Sequence, residues 1–470
     1  MERDSFYQEL KSVINQNALF TFLLIGALAS FIWMMFAQFP SEYTVIRYTP
    51  IVYALTLLLL IRPDKMVGVA SSALCILYFI KLCVDPIISV IGDFYTIVSY
   101  SIVIKNWNKG CFLLCFEWFI VAFVLWFRSP KYLGLIEGRM DSVYEEYNAS
   151  DRSHRQILFW GLIFCLIAFV IYIVFPVIRN EVYWIWQQDT SALAANSGPF
   201  FYLFKIFFEL GKPLFIFYLF FKVETKIQEK WKRIIQFLLI IFTFSLMSDY
   251  RILSILEATT LLIVFMMGRY YEKNSSNVFV KVLFIIVILY TVITLTTHNE
   301  ALNRTTRNLC RLMDIYTGGF MTATAGQEVH LSNGPIMFLH DIFDGSYILG
   351  GIFGHLPSTT DAINAAVNAS AKGIFFESIV QARVMFGPFY PIAIGLITDF
   401  VIRMDYHYAI ENDTLYKTIF IMCGLTTAVF MLMYTYTMIV NFIVWKACIW
   451  LLILRIDRTL AITFKGKRLL

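Results

Sequence analysis

Runs of about twenty apolar residues, separated by short polar gaps, recur along nearly the whole chain, and this pattern predicts membrane-spanning helices. Lipid offers no partner to an unpaired backbone amide, so only helices and closed barrels cross it. Barrel strands read as short alternating segments, whereas these runs are long and continuous. The candidate spans are residues 18–37, 45–61, 67–85, 107–127, 157–178, 201–221, 233–249, 252–268, 279–297, 385–402, 415–434 and 437–455. The expected fold class is all-α, a polytopic membrane helical bundle of about 12 transmembrane helices forming a single integral membrane domain over residues 1–470. Residues 298–372 lie between spans as one large loop, longer than any ordinary connection.

Composition agrees with the pattern. With 59% hydrophobic and 15% charged residues, a soluble domain of this length would carry large adhesive patches. The first 17 residues are polar and of mixed charge, and no small-residue cleavage site follows the first apolar run, so residues 18–37 are expected to stay as the first span. Cys75, Cys83, Cys111, Cys115, Cys165, Cys423 and Cys448 lie in or beside apolar runs and Cys310 alone lies in the long loop, which argues against disulfides and zinc. Cys111 and Cys115 share a helix face and read as packing. No phosphate-binding glycine loop occurs, no HxxxH or HExxH spacing occurs, and nothing points to nucleic acid; no cofactor and no metal are expected.

Charge sets the expected topology. The segments Arg128 to Arg155, Lys222 to Arg233 and Arg455 to Leu470 are rich in Lys and Arg and should be cytoplasmic. Twelve spans put all three on that side together with both termini, and leave residues 179–200 and 298–372 extracytoplasmic. Residues 86–105 are apolar enough to span but are not needed by the count, and read as a re-entrant or interfacial helix. Were they to span, the total would be thirteen and only the part before residue 128 would change sides.

The loop holds His298, His330, His340 and His355, four of the six histidines, and the cluster Arg304, Arg307 and Arg311. Spacings of three and four put those arginines on one helix face. Such a face suits phosphate or pyrophosphate, which guanidinium groups hold in bidentate fashion; a solvated or headgroup-facing basic helix fits the spacing equally well. Arg251 stands in SDYRILS between two apolar runs, on the side where a basic residue opposes the charge rule, so it should have a partner, either Asp249 or an anionic ligand. Glu377 and Arg383 lie in GIFFESIVQARVMFGPF, which leads from the loop into the span near residue 385. Burial beside Phe375 and Phe376 would lift Glu377 toward the range of a general base, and a nearby arginine would pull it back. Glu209 and Lys212 share a helix face next to Gly211 and Pro213, which read as a helix break, and look like a neutralised intramembrane pair. Glu117 and Glu257 could each carry a proton or ion in a transporter, but stand single by sequence and read as satisfied packing.

Two stretches carry a likeness. SDYRILSILEATTLLIVF resembles the arginine-bearing segment at the outer start of a span in the Wzy-type O-antigen or capsular polysaccharide polymerases. Gly373, Glu377 and the run Phe386, Gly387, Pro388 in GIFFESIVQARVMFGPFYPIAIG are similar to the segment that closes that family's large outer loop. The resemblance implies a glycosyltransferase at the outer face of the bacterial cytoplasmic (inner) membrane that joins polyprenyl-pyrophosphate-linked oligosaccharides. An acceptor hydroxyl attacks the donor's anomeric carbon and the lipid pyrophosphate leaves. On this reading Arg251, Arg311 and Arg383 hold the pyrophosphate, Arg304 and Arg307 are weaker candidates, Glu377 is the first choice of base, and His340 and His355 are reserves. The lipid bilayer is a partner, and a polysaccharide chain-length regulator is a candidate one. Related O-antigen ligases would carry a histidine near the position of Glu377, which weighs against a ligase. A flippase for lipid-linked sugars is the rival from another class; transporters tend to be built from repeated halves with short loops, and no duplication is visible here.

Overall fold

The computed structural model describes residues 16–61, 68–91, 94, 100–147, 154–180, 199–226, 229–246, 251–270, 319–329, 333–344, 359–366, 378–411 and 413–465. Among them all regular structure is helical, as expected. In chain order the helices are α1 (Gln16–Phe36), a 3-10 turn (Ser41–Tyr48) running into α2 (Thr49–Thr56) and a π-turn (Leu57–Ile61), α3 (Val69–Phe79), a π-turn (Ile80–Val84), α4 (Asp85–Ile91) and α5 (Tyr100–Tyr147). Then come α6 (Arg155–Val174), α7 (Pro199–Lys226), α8 (Glu229–Ser245) and α9 (Arg251–Tyr270). Short helices follow in the loop region: α10 (Phe320–Ala325) with a 3-10 turn (Gly326–Glu328), α11 (Gly334–Asp344) and α12 (Thr359–Ala366). The chain ends with α13 (Ser378–Phe386), a 3-10 turn (Gly387–Phe389), α14 (Tyr390–Ile410), α15 (Thr414–Met433), α16 (Tyr436–Phe442), a π-turn (Ile443–Ala447) and α17 (Cys448–Lys465).

Eight stretches among the described residues are long and apolar enough to cross a bilayer, which makes this a multi-pass chain suited to a lipid environment. The expected spans over 201–221, 233–249 and 252–268 fall on α7, α8 and α9 but are not among these eight, and that over 279–297 lies outside the described residues. Of the stretch 86–105, residues up to Ile91 continue the preceding span and residues from Tyr100 belong to α5, while all of 92–99 except Phe94 lies outside the described residues.

The described residues fall into two compact units, one within Met1–Gly138, Asn274–Ala409 and Gly424–Asn441, the other within Arg139–Lys273, Ile410–Cys423 and Phe442–Leu470. The first unit is built on buried aromatic rings. Tyr53 stacks on Trp118 at 4.9 Å, and its hydroxyl donates to the Cys75 carbonyl at 2.8 Å. The α3 amino terminus is capped from α14, because the Asp405 carboxylate accepts from Ala70 N–H at 3.0 Å, Ser71 N–H at 2.7 Å and Ser71 Oγ at 2.6 Å. A β-carbon on Gly68 would come within 2.5 Å of Asp405 Cγ. Gly68→Ala should therefore push the carboxylate out of its cap. We expect a loss of about 1–2 kcal/mol, read as a lower thermal midpoint in detergent; an unchanged midpoint would show that the cap tolerates displacement.

In the second unit α6 and α7 lie close because each offers a glycine. Gly161 faces the Phe215 backbone and Gly211 faces Cys165, with room for no β-carbon at Gly211. The expected break at Gly211 and Pro213 does not occur: α7 is continuous with Pro213 inside it, and Gly211 serves packing. Just before α6, His154 Nε2 lies 3.2 Å from Asp413 Oδ2 and its Nδ1 lies 3.6 Å from Asp457 Oδ2. Asp457 also accepts from Tyr416 hydroxyl at 2.6 Å and from Gln156 N–H at 2.9 Å. Burial alone would lower the His154 value, but hydrogen bonds to Asp413 and Asp457 and their charge outweigh it and raise it from 6.5 to about 9. The folded value lies above the unfolded one, so the stabilisation is fully present below pH 6.5 and is lost as pH climbs through about 9. A melting series across that window should show a fall worth up to about 3 kcal/mol, and His154→Asn should flatten it.

Candidate functional site

The site begins where the loop region enters α13, in the first unit. Gly334 lets α11 close on the end of α13, since a β-carbon there would lie 2.7 Å from the Met385 carbonyl oxygen. Gly326 does the same for the 3-10 turn against Val380. Phe338 and Tyr436 then each meet Phe386 edge to face, at 4.9 and 5.5 Å, and meet each other tilted at 5.7 Å, between α11, α13 and α16. The helix break at Tyr434 and Thr435 is pinned by Gln381, whose Oε1 accepts from Thr437 N–H at 2.9 Å and whose Nε2 donates to Thr437 Oγ1 at 3.2 Å.

Arg383 stands in this frame, half-buried. Its guanidinium donates to Gln327 Oε1, to the Gln327 carbonyl at 3.1 Å and to the Gly326 carbonyl at 3.5 Å. All three acceptors are neutral. Several other cations meet a carboxylate, although half-buried Arg47 donates to the Ala37 carbonyl and lies over the Phe39 ring. Lys81 meets Glu117, Lys212 meets Glu257, Lys446 meets Glu209, Arg128 and Arg403 meet Asp399, and Arg458 meets Glu411. Among the described residues Arg383 meets no carboxylate, so its charge is held in place and left available to an anion.

His340 is buried on α11, with Nδ1 3.8 Å from Asp341 Oδ1. Asp341 in turn accepts from Thr359 N–H at 3.1 and 3.2 Å, which caps α12, and its backbone carbonyl accepts from Asn441 Nδ2 at 3.2 Å. Burial lifts the Asp341 carboxyl above its ordinary value, against the opposing pull of Thr359 and His340. An imidazole with a carboxylate fixed beside it is an arrangement that serves a general base. The elements carrying Arg383 and His340 thus pack together. Arg251 opens α9 in the second unit, and its side chain is not among those described; Glu377, His355, Arg304, Arg307 and Arg311 also lie outside the described residues.

A buried group that spacing did not reveal sits directly under the start of α13. Lys81 Nζ donates to Glu117 Oε2 at 3.1 Å, and Ser378 Oγ donates to Glu117 Oε1 at 2.8 Å. The Lys81 and Glu117 side chains are 0% exposed, which excludes solvent from the pair. Asp85, one turn beyond Lys81, buries Oδ2 without a hydrogen-bond partner among the described residues. Glu117 is therefore not the single residue it looks in sequence. The same correction applies in the second unit. Lys212 lies 2.8 Å from Glu257 and donates to Ser254 Oγ at 2.8 Å, while Glu209 pairs with Lys446. Lys81 and Lys446 both sit in π-turns, where the extra residue per turn shifts the face a side chain occupies. The usable signal was a lysine inside each predicted span, a position that lipid makes costly without a partner. Compared with protein families, with curated proteins and with solved structures, the chain finds no match.

Proposed function

We propose that this chain is a polysaccharide polymerase of the bacterial inner membrane, in which about 12 spans carry residues 298–372 on the outer face. It transfers a polyprenyl-pyrophosphate-linked glycan onto the acceptor sugar of another lipid-linked repeat unit. The observation that carries this reading is Arg383, a fixed, half-buried guanidinium whose partners among the described residues are all neutral, at the junction of loop and membrane. Charge develops on the leaving pyrophosphate as the anomeric carbon is attacked, and a preorganised cation lowers the barrier. The acceptor hydroxyl gives its proton to Glu377, with His340, held beside Asp341, as the second choice. Arg311, Arg304 and Arg307 of the loop complete the anion-binding set in this proposal, and a chain-length regulator is its candidate partner.

A transporter is the second reading, favoured by the charge pairs Lys81 with Glu117, Lys212 with Glu257 and Lys446 with Glu209 inside apolar helices. Deletion separates the two. Surface polysaccharide reduced to single repeats on a gel supports polymerisation. Loss of all surface polymer, with lipid-linked intermediates held at the cytoplasmic face, rejects it in favour of transport.

A further inference from the structure

We infer that the outward face of α5, with the adjoining face of α14, seats the isoprenoid tail of a polyprenyl phosphate lipid whose phosphate end lies at Arg383; the inference rests on the polymerase reading and adds the site that holds the lipid. Six rings form a ladder along α5. Phe112 stacks on Phe116 at 6.1 Å, Phe116 on Phe119 at 6.2 Å, Phe119 on Phe123 at 6.4 Å and Phe123 on Phe127 at 6.2 Å, with Trp126 beside Phe123 at 5.8 Å. From Phe112 to Phe127 the ladder runs about 22 Å along the helix axis, most of the depth of a hydrocarbon core of about 30 Å.

Ordinary contact with bulk lipid does not ask for this composition. Among the described side chains, the five strongly exposed large apolar ones on α5 are all aromatic, whereas on α6 only Phe159 and Phe169 are, out of seven. Acyl chains are served as well by the leucines and valines of α6. Stacked rings instead present a rigid, continuous π surface that matches the flat double bonds and methyl branches of an isoprenoid and loses little side-chain freedom on contact. The second wall comes from α14. Val124 meets the surface over Gly395, and Ile392 and Leu396 stand exposed alongside.

The ladder also leads to the charge. Phe116 lies edge to face with Tyr390 at 6.1 Å, and Tyr390 opens α14 directly after the single 3-10 turn that follows α13, the helix carrying Arg383. A cation lacking a carboxylate partner among the described residues thus stands at one end of a membrane-length aromatic strip. That pairing of head and tail chemistry selects a phosphate-bearing isoprenoid over a neutral lipid or a second apolar helix.

The test uses the full chain in phosphatidylcholine nanodiscs with a long-chain polyprenyl phosphate carrying a photoreactive diazirine in its tail. Label should concentrate on peptides containing Phe112–Phe127 and Ile392–Leu396, and unlabelled polyprenyl phosphate should displace it while dioleoyl phosphatidic acid does not. The triple variant Phe119→Leu, Phe123→Leu, Phe127→Leu keeps an apolar surface and should bind roughly tenfold more weakly, as should Arg383→Gln. Label spread evenly over α1 and α6, equal displacement by phosphatidic acid, or unchanged affinity in the triple variant would each overturn the proposal. Binding is read without turnover. A chain that binds selectively here but leaves polymer length untouched on deletion defeats the polymerase reading alone, and a working polymerase with no selective label defeats this inference alone.

Discussion

Lys81→Met should cost about 3–5 kcal/mol of stability, enough to remove most folded protein. The change leaves Glu117 buried beside the Ser378 hydroxyl, in a place where solvent is excluded and its charge has lost the counter-ion seen among the described residues. The double variant Lys81→Met, Glu117→Gln should recover most of that loss, because a neutral amide can still accept from Ser378 Oγ and no charge is stranded. Thermal midpoints and the monodisperse fraction in detergent give the measurement. A single variant as stable as the parent would mean that the pair is not sealed from solvent. Activity in the rescued double variant adds a second reading. Ser378 is the neighbour of Glu377, so a folded double variant without polymer synthesis makes the pair a positioning device for the base, and one with full synthesis makes it a structural anchor.

The parts of the fold that lipid dictates were legible in the chain, and the parts that depend on helix faces meeting were not. Long apolar runs had to be helices because the bilayer leaves no alternative, and the eight spanning stretches lie where the runs predicted. Partners for buried charges are another matter. Spacing rules see only neighbours three or four residues apart on one helix, so they offered Lys212 to Glu209, whereas the folded chain gives Lys212 to Glu257 and Glu209 to Lys446. Lys81 and Glu117 are 36 positions apart and meet after a π-turn has rotated the lysine. Arg383 was legible for the opposite reason: an ionisable residue where a loop enters a span is conspicuous in any register. Its neutral cage of Gln327 and Gly326 comes from a short turn inside the long loop, which has no periodic signal of its own.

On the proposed polymerase reading, Arg383→Lys should slow polymerisation by roughly thirtyfold to a thousandfold, a loss of about 2–4 kcal/mol of transition-state stabilisation, with little change in thermal midpoint. The guanidinium is a planar fork. Its Nη1 and Nη2 hold Gln327 and Gly326 while its charge meets no carboxylate among the described residues, whereas an ammonium is a point charge with three donors that cannot keep those contacts and meet a phosphate in the same place. A structural role makes a different forecast, because the same contacts also tie α13 to the turn at Gly326–Glu328. Gln327→Glu distinguishes the two. It places a carboxylate where Arg383 now meets an amide oxygen, so the tie is strengthened while the charge is neutralised in place. If Arg383 binds pyrophosphate, this variant should be as stable as the parent or more so, yet lose rate to a similar degree as Arg383→Lys. If Arg383 is a strut, Gln327→Glu should keep full rate, and that result would take from the site its central cation.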